Sequence, residues 1–360
     1  MTKTDGRSPG RRPGDRDASG AGGKNPRVVA WEVTRRCPLA CRHCRAGAAD
    51  RAFDDELTTD ECFRILDALG SFSRPMIIWT GGEPMYRKDI LRLVNRAVEL
   101  GMRSVMAPCG MLVTRDSLLR LQDAGVMACS FSLDGATAET HDAFRGVQGA
   151  FAHVTKAMEI ASAIGMPFQV NCTVSKRNLS ELPAILETAA RFGARTLDLF
   201  FLVPVGRGRE LADLALSADE MERTLGWAFE MDRKGPVAVR ETCAPQAVRI
   251  WENLARPGRH PAGCMGGRGF VFISHRGVLQ PCGFLDLPCA DLRAVDMDFA
   301  KAYTESPVFA QLRNPNLLGG TCGKCRFRFE CGGCRARSFA ATGDFLAGDA
   351  SCPLSGGNAG

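Results

Sequence analysis

At 360 residues the chain has room for about two domains and a sizeable core, which excludes a small scaffold held only by staples. Apolar residues make up 45% and charged residues 24%, ordinary globular usage, and no run approaches the roughly 18 apolar residues of a membrane span. The formal charge of +6 is concentrated at the front: residues 1–27 hold seven Lys or Arg against three acids, and the +2 left over the rest argues against a nucleic-acid partner.

In chain order, residues 1–27 are rich in Gly, Pro, Ser and Asp without an apolar stretch, which predicts a disordered basic tail. The tail also lacks the apolar core of a signal peptide, so the expected location is the cytoplasm, with no membrane partner. From 28 to 235, short apolar or β-branched runs alternate with longer amphipathic stretches. Candidate strands are Val28 to Val33, Met76 to Trp79, Arg103 to Met106, Ala128 to Leu133, Phe168 to Val174 and Thr196 to Val203. Helices are expected near Asp60 to Gly70, Arg87 to Gly101, Asp116 to Ala124, Ala150 to Ile164, Leu179 to Phe192 and Ala218 to Met231. Several of these stretches end in Gly, as a helix stop should. Six strand-then-helix units predict an α/β fold with a parallel sheet, an open partial (β/α)6 barrel rather than a closed eightfold one. After about residue 236 periodicity fades and Gly, Pro and Cys become frequent, which predicts a loop-rich second domain over 236–360 held by metal.

Sixteen Cys in a chain without a secretion signal are not expected to be disulfides. Six are scattered, Cys62, Cys109, Cys129, Cys172, Cys243 and Cys289, and read as small buried hydrophobes. The other ten fall into a front group and a back group with short spacings. In the segment Trp31-Glu-Val-Thr-Arg-Arg-Cys37-Pro-Leu-Ala-Cys41-Arg-His-Cys44, three thiolates follow the first strand, at the carboxyl end where barrel enzymes build their sites. Three ligands suit one corner-open iron–sulfur cube, whose free iron can take a substrate or cofactor. A zinc knuckle borrowing His43 is the alternative.

The CX3CX2C run resembles the signature of the radical SAM superfamily. Thr80-Gly81-Gly82-Glu83-Pro84, after the second strand, is similar to the family's GGEP motif. That likeness implies that Gly81, Gly82 and Glu83 hold the methionine amino group of S-adenosyl-L-methionine. Ser130-Phe-Ser132-Leu-Asp134-Gly135, at the end of the fourth strand, is similar to its ribose and carboxylate contact region, with Ser132 and Asp134 as binding residues. The resemblance implies a 4Fe-4S cluster on Cys37, Cys41 and Cys44 that gives one electron to the sulfonium and releases a 5′-deoxyadenosyl radical. An electron donor such as flavodoxin or ferredoxin is implied as partner, and His43 would lie near adenine or serve packing.

The back group reads Cys264-X12-Gly277-X4-Cys282, then Cys322-X2-Cys325-X5-Cys331-X2-Cys334, then Cys352. It resembles the SPASM or twitch type of carboxy-terminal iron–sulfur extension, which implies one or two auxiliary 4Fe-4S clusters. By that likeness Cys322, Cys325, Cys331 and Cys352 hold one complete cluster. Cys264, Cys282 and Cys334 hold a second with an open iron, or play lesser roles. The last spacing is X2 where the usual pattern has X3, and seven ligands fall one short of two full sets. A zinc ribbon is the alternative.

Further phrases narrow the likeness, among them His141-Asp-Ala-Phe-Arg145-Gly146, Val205-Gly206-Arg207-Gly208, Thr242-Cys243-Ala-Pro245 and Ser274-His275-Arg-Gly277. They resemble the tetrapyrrole-modifying radical SAM enzymes of the alternative heme pathway. Trp31-Glu32, where relatives acting on other tetrapyrroles usually show Trp-Asn, favours the iron-coproporphyrin III decarboxylase family. The implied reaction is oxidative decarboxylation of two propionates to vinyl groups, giving heme b, with an auxiliary cluster receiving the electron each decarboxylation releases. The alternatives are a didecarboxysiroheme deacetylase or heme d1 maturase type of enzyme, or a SPASM peptide or protein maturase. A tetrapyrrole needs an apolar slot rimmed by Arg. Arg207 and Arg209 are the first candidates, with Arg145, Arg240 and Arg268 behind them. His275 or Cys243 would approach the porphyrin iron or be structural.

Overall fold

The computed structural model describes residues 25–253 and 263–355. The expected tail lies outside the described residues except at its end, where the Arg27 N–H donates to the Gly269 carbonyl at 2.8 Å.

All six expected strands form within two residues of their expected bounds: β1 (Val28–Glu32), β2 (Met76–Thr80), β3 (Arg103–Met106), β4 (Val126–Ser132), β5 (Phe168–Val174) and β6 (Thr196–Phe201). Neighbours pair in parallel in sequence order. The helices between them are α1 (Thr59–Phe72), α2 (Ile90–Glu99), α3 (Arg115–Asp123), α4 (Ala138–Arg145), α5 (Ala150–Ala163), α6 (Leu182–Arg191) and α7 (Ala218–Lys234). Thr58 and Glu61 close a capping box on α1, and Ser217 and Glu220 do the same on α7. The extra helix α4 is short, polar and capped by Thr137; it stops at Gly146, whose φ of 71° suits a residue without Cβ.

The parallel sheet does not stop at residue 235. A seventh strand, β7 (Ala238–Thr242), pairs with β6 from Thr196↔Ala238 to Phe200↔Thr242. At the opposite edge β8 (Phe270–Ile273) lies parallel to β1, followed by antiparallel β9 (Val278–Gln280) and β10 (Ala290–Asp291). The order is β10-β9-β8-β1-β2-β3-β4-β5-β6-β7, an open ten-stranded sheet. The later helices are α8 (Ala247–Asn253), α9 (Phe299–Thr304), α10 (Pro307–Leu312), α11 (Gly320–Lys324) and α12 (Arg335–Thr342).

The main core lies between the sheet and its helices. Trp31 and Trp79 are fully buried and stack with centroids 5.7 Å apart, directly below the end of β1. Such a pair adds about 0.5–1.5 kcal/mol beyond its burial. Cys62, Cys129 and Cys172 are sealed in this core, and burial pushes all three thiols up, as expected of small hydrophobes.

Candidate active site

The loop leaving β1 carries the front cysteines. Cys37 and Cys41 are buried and Cys44 is half-buried. A loop this tight leaves carbonyls that need donors, and Arg207 supplies three. Its backbone N–H reaches Cys44 O at 3.0 Å, its Nε reaches Cys41 O at 2.8 Å, and its Nη1 reaches Ala48 O at 2.7 Å. Arg207 therefore clamps the cysteine loop, while its Nη2 is left without a partner in the protein. Arg145 is also held within the protein. It is buried, its Nη2 is 2.7 Å from Asp134 Oδ2, and its Nη1 is 3.7 Å from Cys41 Sγ. Of the remaining arginines, Arg209 and Arg240 are exposed, while Arg268 donates to Phe329 O at 3.2 Å.

The glycine motif docks edge-on to this loop. Gly82 N donates to Thr34 O and Glu83 N to Arg36 O, each at 2.7 Å. A Cβ on Gly82 would overlap the carbonyl oxygens of Arg35 and Arg36. Glu83 is fully buried, which raises its carboxyl pKa, and it accepts from Met85 N at 2.9 Å and Cys109 N at 2.6 Å. The Cys109 thiol bonds it as well, so about one of its roughly four acceptor positions remains. Cys109, expected as a core hydrophobe, instead sets its thiol against Cys37, and that hydrogen bond lowers the Cys37 pKa.

Asp134, expected in the ribose and carboxylate contact region, is held by the protein's own groups. It is 1% exposed; Oδ1 accepts from Thr173 N at 2.7 Å while Oδ2 faces Arg145 and, at 3.9 Å, His43 Nε2. Burial alone would raise its carboxyl pKa, but Arg145 and His43 hold it below the usual range. His43 stacks on Phe144 with centroids 4.3 Å apart, and burial pushes its pKa down to about 4, so the ring is neutral. Ser132 stays half-buried at the end of β4.

A second buried carboxylate fastens the loop from below. Glu32 receives Arg45 Nη1 at 2.9 Å, Arg35 Nε at 3.1 Å and His275 Nδ1 at 2.8 Å. Burial would raise its pKa, yet Arg45, the His275 hydrogen bond and Arg35 hold it at about 2. His275 is thus committed to Glu32, with Asp55 at 3.5 Å from its other nitrogen, and is not aimed at a porphyrin iron.

At the back, Cys322, Cys325, Cys331 and Cys352 line one small cavity of about 30 Å³, together with Phe327, Arg328 and Asp349. N–H groups of Phe327, Gly333 and Asp349 point at Cys325, Cys331 and Cys322, each at 3.4 Å, and Arg335 Nη2 reaches Cys322 Sγ at the same distance. Donors of this kind stabilise thiolate sulfur and tune a bound cluster. Cys243, Cys264, Cys282 and Cys334 form a second neighbourhood, in which Cys334 is buried and the other three are half-buried. Cys243 hydrogen-bonds Cys334 and lowers its pKa, while burial, with Cys264 and Cys334 close by, pushes Cys282 up to about 12. Cys243 has a φ of 63°, unusual for a residue with a Cβ, and turns its side chain into this group. Spacing gave no signal for Cys243; the Thr-Cys-Ala-Pro phrase was the only mark on it. Four thiols around one cavity are a donor set of the kind an iron–sulfur cluster takes.

Asp349 joins the two neighbourhoods. It is fully buried, accepts from Cys334 N at 2.8 Å, Gln246 Nε2 at 2.8 Å and Arg337 at 2.9 and 3.1 Å, and gives its own N–H to Cys322 Sγ.

A parallel open sheet with a triple-cysteine loop at the carboxyl end of its first strand, docked on a glycine motif, defines an enzyme class. The chain belongs to the radical SAM superfamily, whose family model matches residues 31–189. It is an enzyme that uses S-adenosylmethionine and a 4Fe-4S cluster. Among its relatives, the AdoMet-dependent heme synthase of Oleidesulfovibrio alaskensis is 39% identical over 338 residues, spanning 91% of this chain and 87% of that protein. The AdoMet-dependent heme synthase of Methanosarcina barkeri is 39% identical over 339 residues, spanning 91% and 96%. The solved structure of Streptococcus suis SuiB bound to S-adenosylmethionine shares the fold, with a TM-score of 0.71 over 92% of this chain and 78% of that one, at 15% identity.

Proposed function

We propose that the protein makes heme b from iron-coproporphyrin III by oxidative decarboxylation of two propionates to vinyl groups. The observation that carries this reading is 39% identity, over 91% of the chain, to proteins named AdoMet-dependent heme synthase. In this reading Cys37, Cys41 and Cys44 hold the first cluster, and Gly81, Gly82 and Glu83 bind the methionine end of the cofactor. When bound, the pair supplies a 5′-deoxyadenosyl radical able to take a hydrogen from a propionate β-carbon. Arg207 fixes the cysteine loop, Asp134 and Arg145 lock the neutral His43 ring against Phe144, and Glu32 anchors the loop to the β8 turn. Arg209 is the exposed cation left beyond β6 for a propionate carboxylate.

β7 and β8 complete the core sheet, and the later cysteines form the auxiliary part. Cys322, Cys325, Cys331 and Cys352 hold one cluster, and Cys264, Cys282 and Cys334 hold a second with Cys243 as the fourth thiol. A cluster held by these thiols would receive the electron that each decarboxylation leaves behind, and a flavodoxin or ferredoxin reduces the front site. Among the described residues no helix is long and apolar enough to cross a membrane, in keeping with a cytoplasmic enzyme.

The test incubates anaerobically reconstituted protein with S-adenosylmethionine, dithionite and one of three tetrapyrroles: iron-coproporphyrin III, iron-free coproporphyrin III or didecarboxysiroheme. Mass spectrometry should show loss of two carboxyl groups from the iron-coproporphyrin alone. Turnover of didecarboxysiroheme alone, or 5′-deoxyadenosine formation with every tetrapyrrole intact, would overturn the substrate assignment.

A further inference from the structure

The segment between Cys325 and Cys331 reads Arg326-Phe327-Arg328-Phe329-Glu330 and borders the four-thiol cavity. Each arginine sets its guanidinium carbon over the ring of the phenylalanine that follows it, Arg326 at 4.6 Å from the Phe327 centroid and Arg328 at 4.5 Å from that of Phe329. Phe327 is buried against the thiols, whereas Phe329 is 44% exposed, one of only four large hydrophobic side chains so exposed among the described residues. A second of the four, Leu317, lies in the turn just ahead of α11. Lys324 and Arg326 are exposed, and Arg268 braces the loop through Phe329 O. The loop and its flanks thus carry four cations, Lys324, Arg326, Arg328 and Arg268, and two exposed apolar side chains, with Glu330 as the loop's one acid. Among the described residues none of the four cations has an ion-pair partner.

We infer that this collar is the docking surface for an acidic one-electron carrier protein, which collects the electron held behind it. The inference rests on the proposed oxidative decarboxylation for its purpose: each propionate loses a hydrogen atom and CO2, and the one electron left over must leave the protein. The chemistry of the collar selects the partner. A guanidinium over an aromatic face is held in place and keeps its N–H edge free for bidentate carboxylate pairing. Unpaired cations around a cleft steer an acidic surface toward it. Phe329 and Leu317 supply the apolar contact that charge alone lacks. Phe327 and Arg328 belong to the collar and to the cavity wall at once, so no further layer separates a docked carrier from the thiols.

The experiment needs no tetrapyrrole, so its outcome is independent of the substrate assignment. The full chain carrying Cys41→Ala, which lacks the front cluster, is reconstituted, reduced, freed of reductant and mixed with an oxidised acidic flavodoxin while semiquinone formation is followed. The second-order rate should fall about tenfold on adding Lys324→Glu and Arg326→Glu, and should fall steeply with salt in the parent. A small uncharged quinone should oxidise both proteins equally, which shows that the charge-reversed protein is loaded. Where charge reversal impairs loading, Lys324→Gln with Arg326→Gln should give a smaller loss in the same direction, and Phe329→Ala should slow transfer without changing its salt dependence. Equal flavodoxin rates in parent and variants, or a rate indifferent to salt, would overturn the inference.

Discussion

Replacing Asp349 with Asn tests whether one carboxylate holds the two carboxy-terminal thiol neighbourhoods together. The side chain is fully buried and receives four side-chain or backbone donors from Gln246, Cys334 and Arg337, two of them from the Arg337 guanidinium. Burial alone would raise the Asp349 pKa, but the Arg337 charge outweighs it and keeps the acid ionised. Asparagine keeps the shape, removes the charge and turns an N–H2 toward groups that are themselves donors. Arg337, only 5% exposed, is then left as a buried charge without its counterion. Removing one partner of a buried pair costs about 3–5 kcal/mol. Anaerobic urea titration of the loaded protein reads that loss, and iron analysis should show fewer bound irons in both carboxy-terminal sites. Adding Arg337→Met should recover most of the stability, because the orphaned charge goes with it. A loss under about 1 kcal/mol, or a double variant weaker than the sum of its singles, would refute the reasoning.

Other consequences of the geometry are as direct. Gly82→Ala forces the cysteine loop away from the glycine motif, and a displacement of about 1 Å costs on the order of 100-fold in 5′-deoxyadenosine formation, measured by chromatography. Arg207→Ala strips side-chain donors from Cys41 O and Ala48 O, at about 1–3 kcal/mol each. Front-site iron should then be lost faster to a chelator, with Lys restoring only part of the retention because it cannot span both carbonyls. His141 accepts from Asp134 N, and burial pushes its pKa from 6.5 down to about 4. The unfolded chain therefore takes up this proton first as the solution is acidified. The stability contributed by neutral His141 is complete above pH 6.5 and lost as pH falls toward 4. His141→Gln should flatten the stability-versus-pH curve by about one proton in that window, and equal slopes would count against it.

The parallel strands were legible because each is a short apolar run bounded by turn residues, and the two cysteine groups were legible because their spacing is local. What the sequence hid depends on pairing over long distances. β7 alternates buried Val239 with exposed Arg240 and sits alone after a Gly-Pro, so nothing local marks it as the partner of β6. Arg145 and Arg207 have the composition of surface arginines; only the fold shows that Asp134 and the loop carbonyls claim them. Glu32 stood out as part of a phrase, while its meeting with His275 required the β1 and β8 ends to be neighbours. Cys109 and Cys243 look like any isolated core cysteine until tertiary contact sets them beside Cys37 and Cys334.

Because β8 lies against β1, the strand that launches the cysteine loop gains its second neighbour only when about three-quarters of these residues have left the ribosome. Until then its outer N–H and C=O groups offer a template to any other extended peptide. A fragment cut after residue 235 would keep that hazard permanently and would bare β6 at the far edge as well, so the catalytic half is not a detachable module.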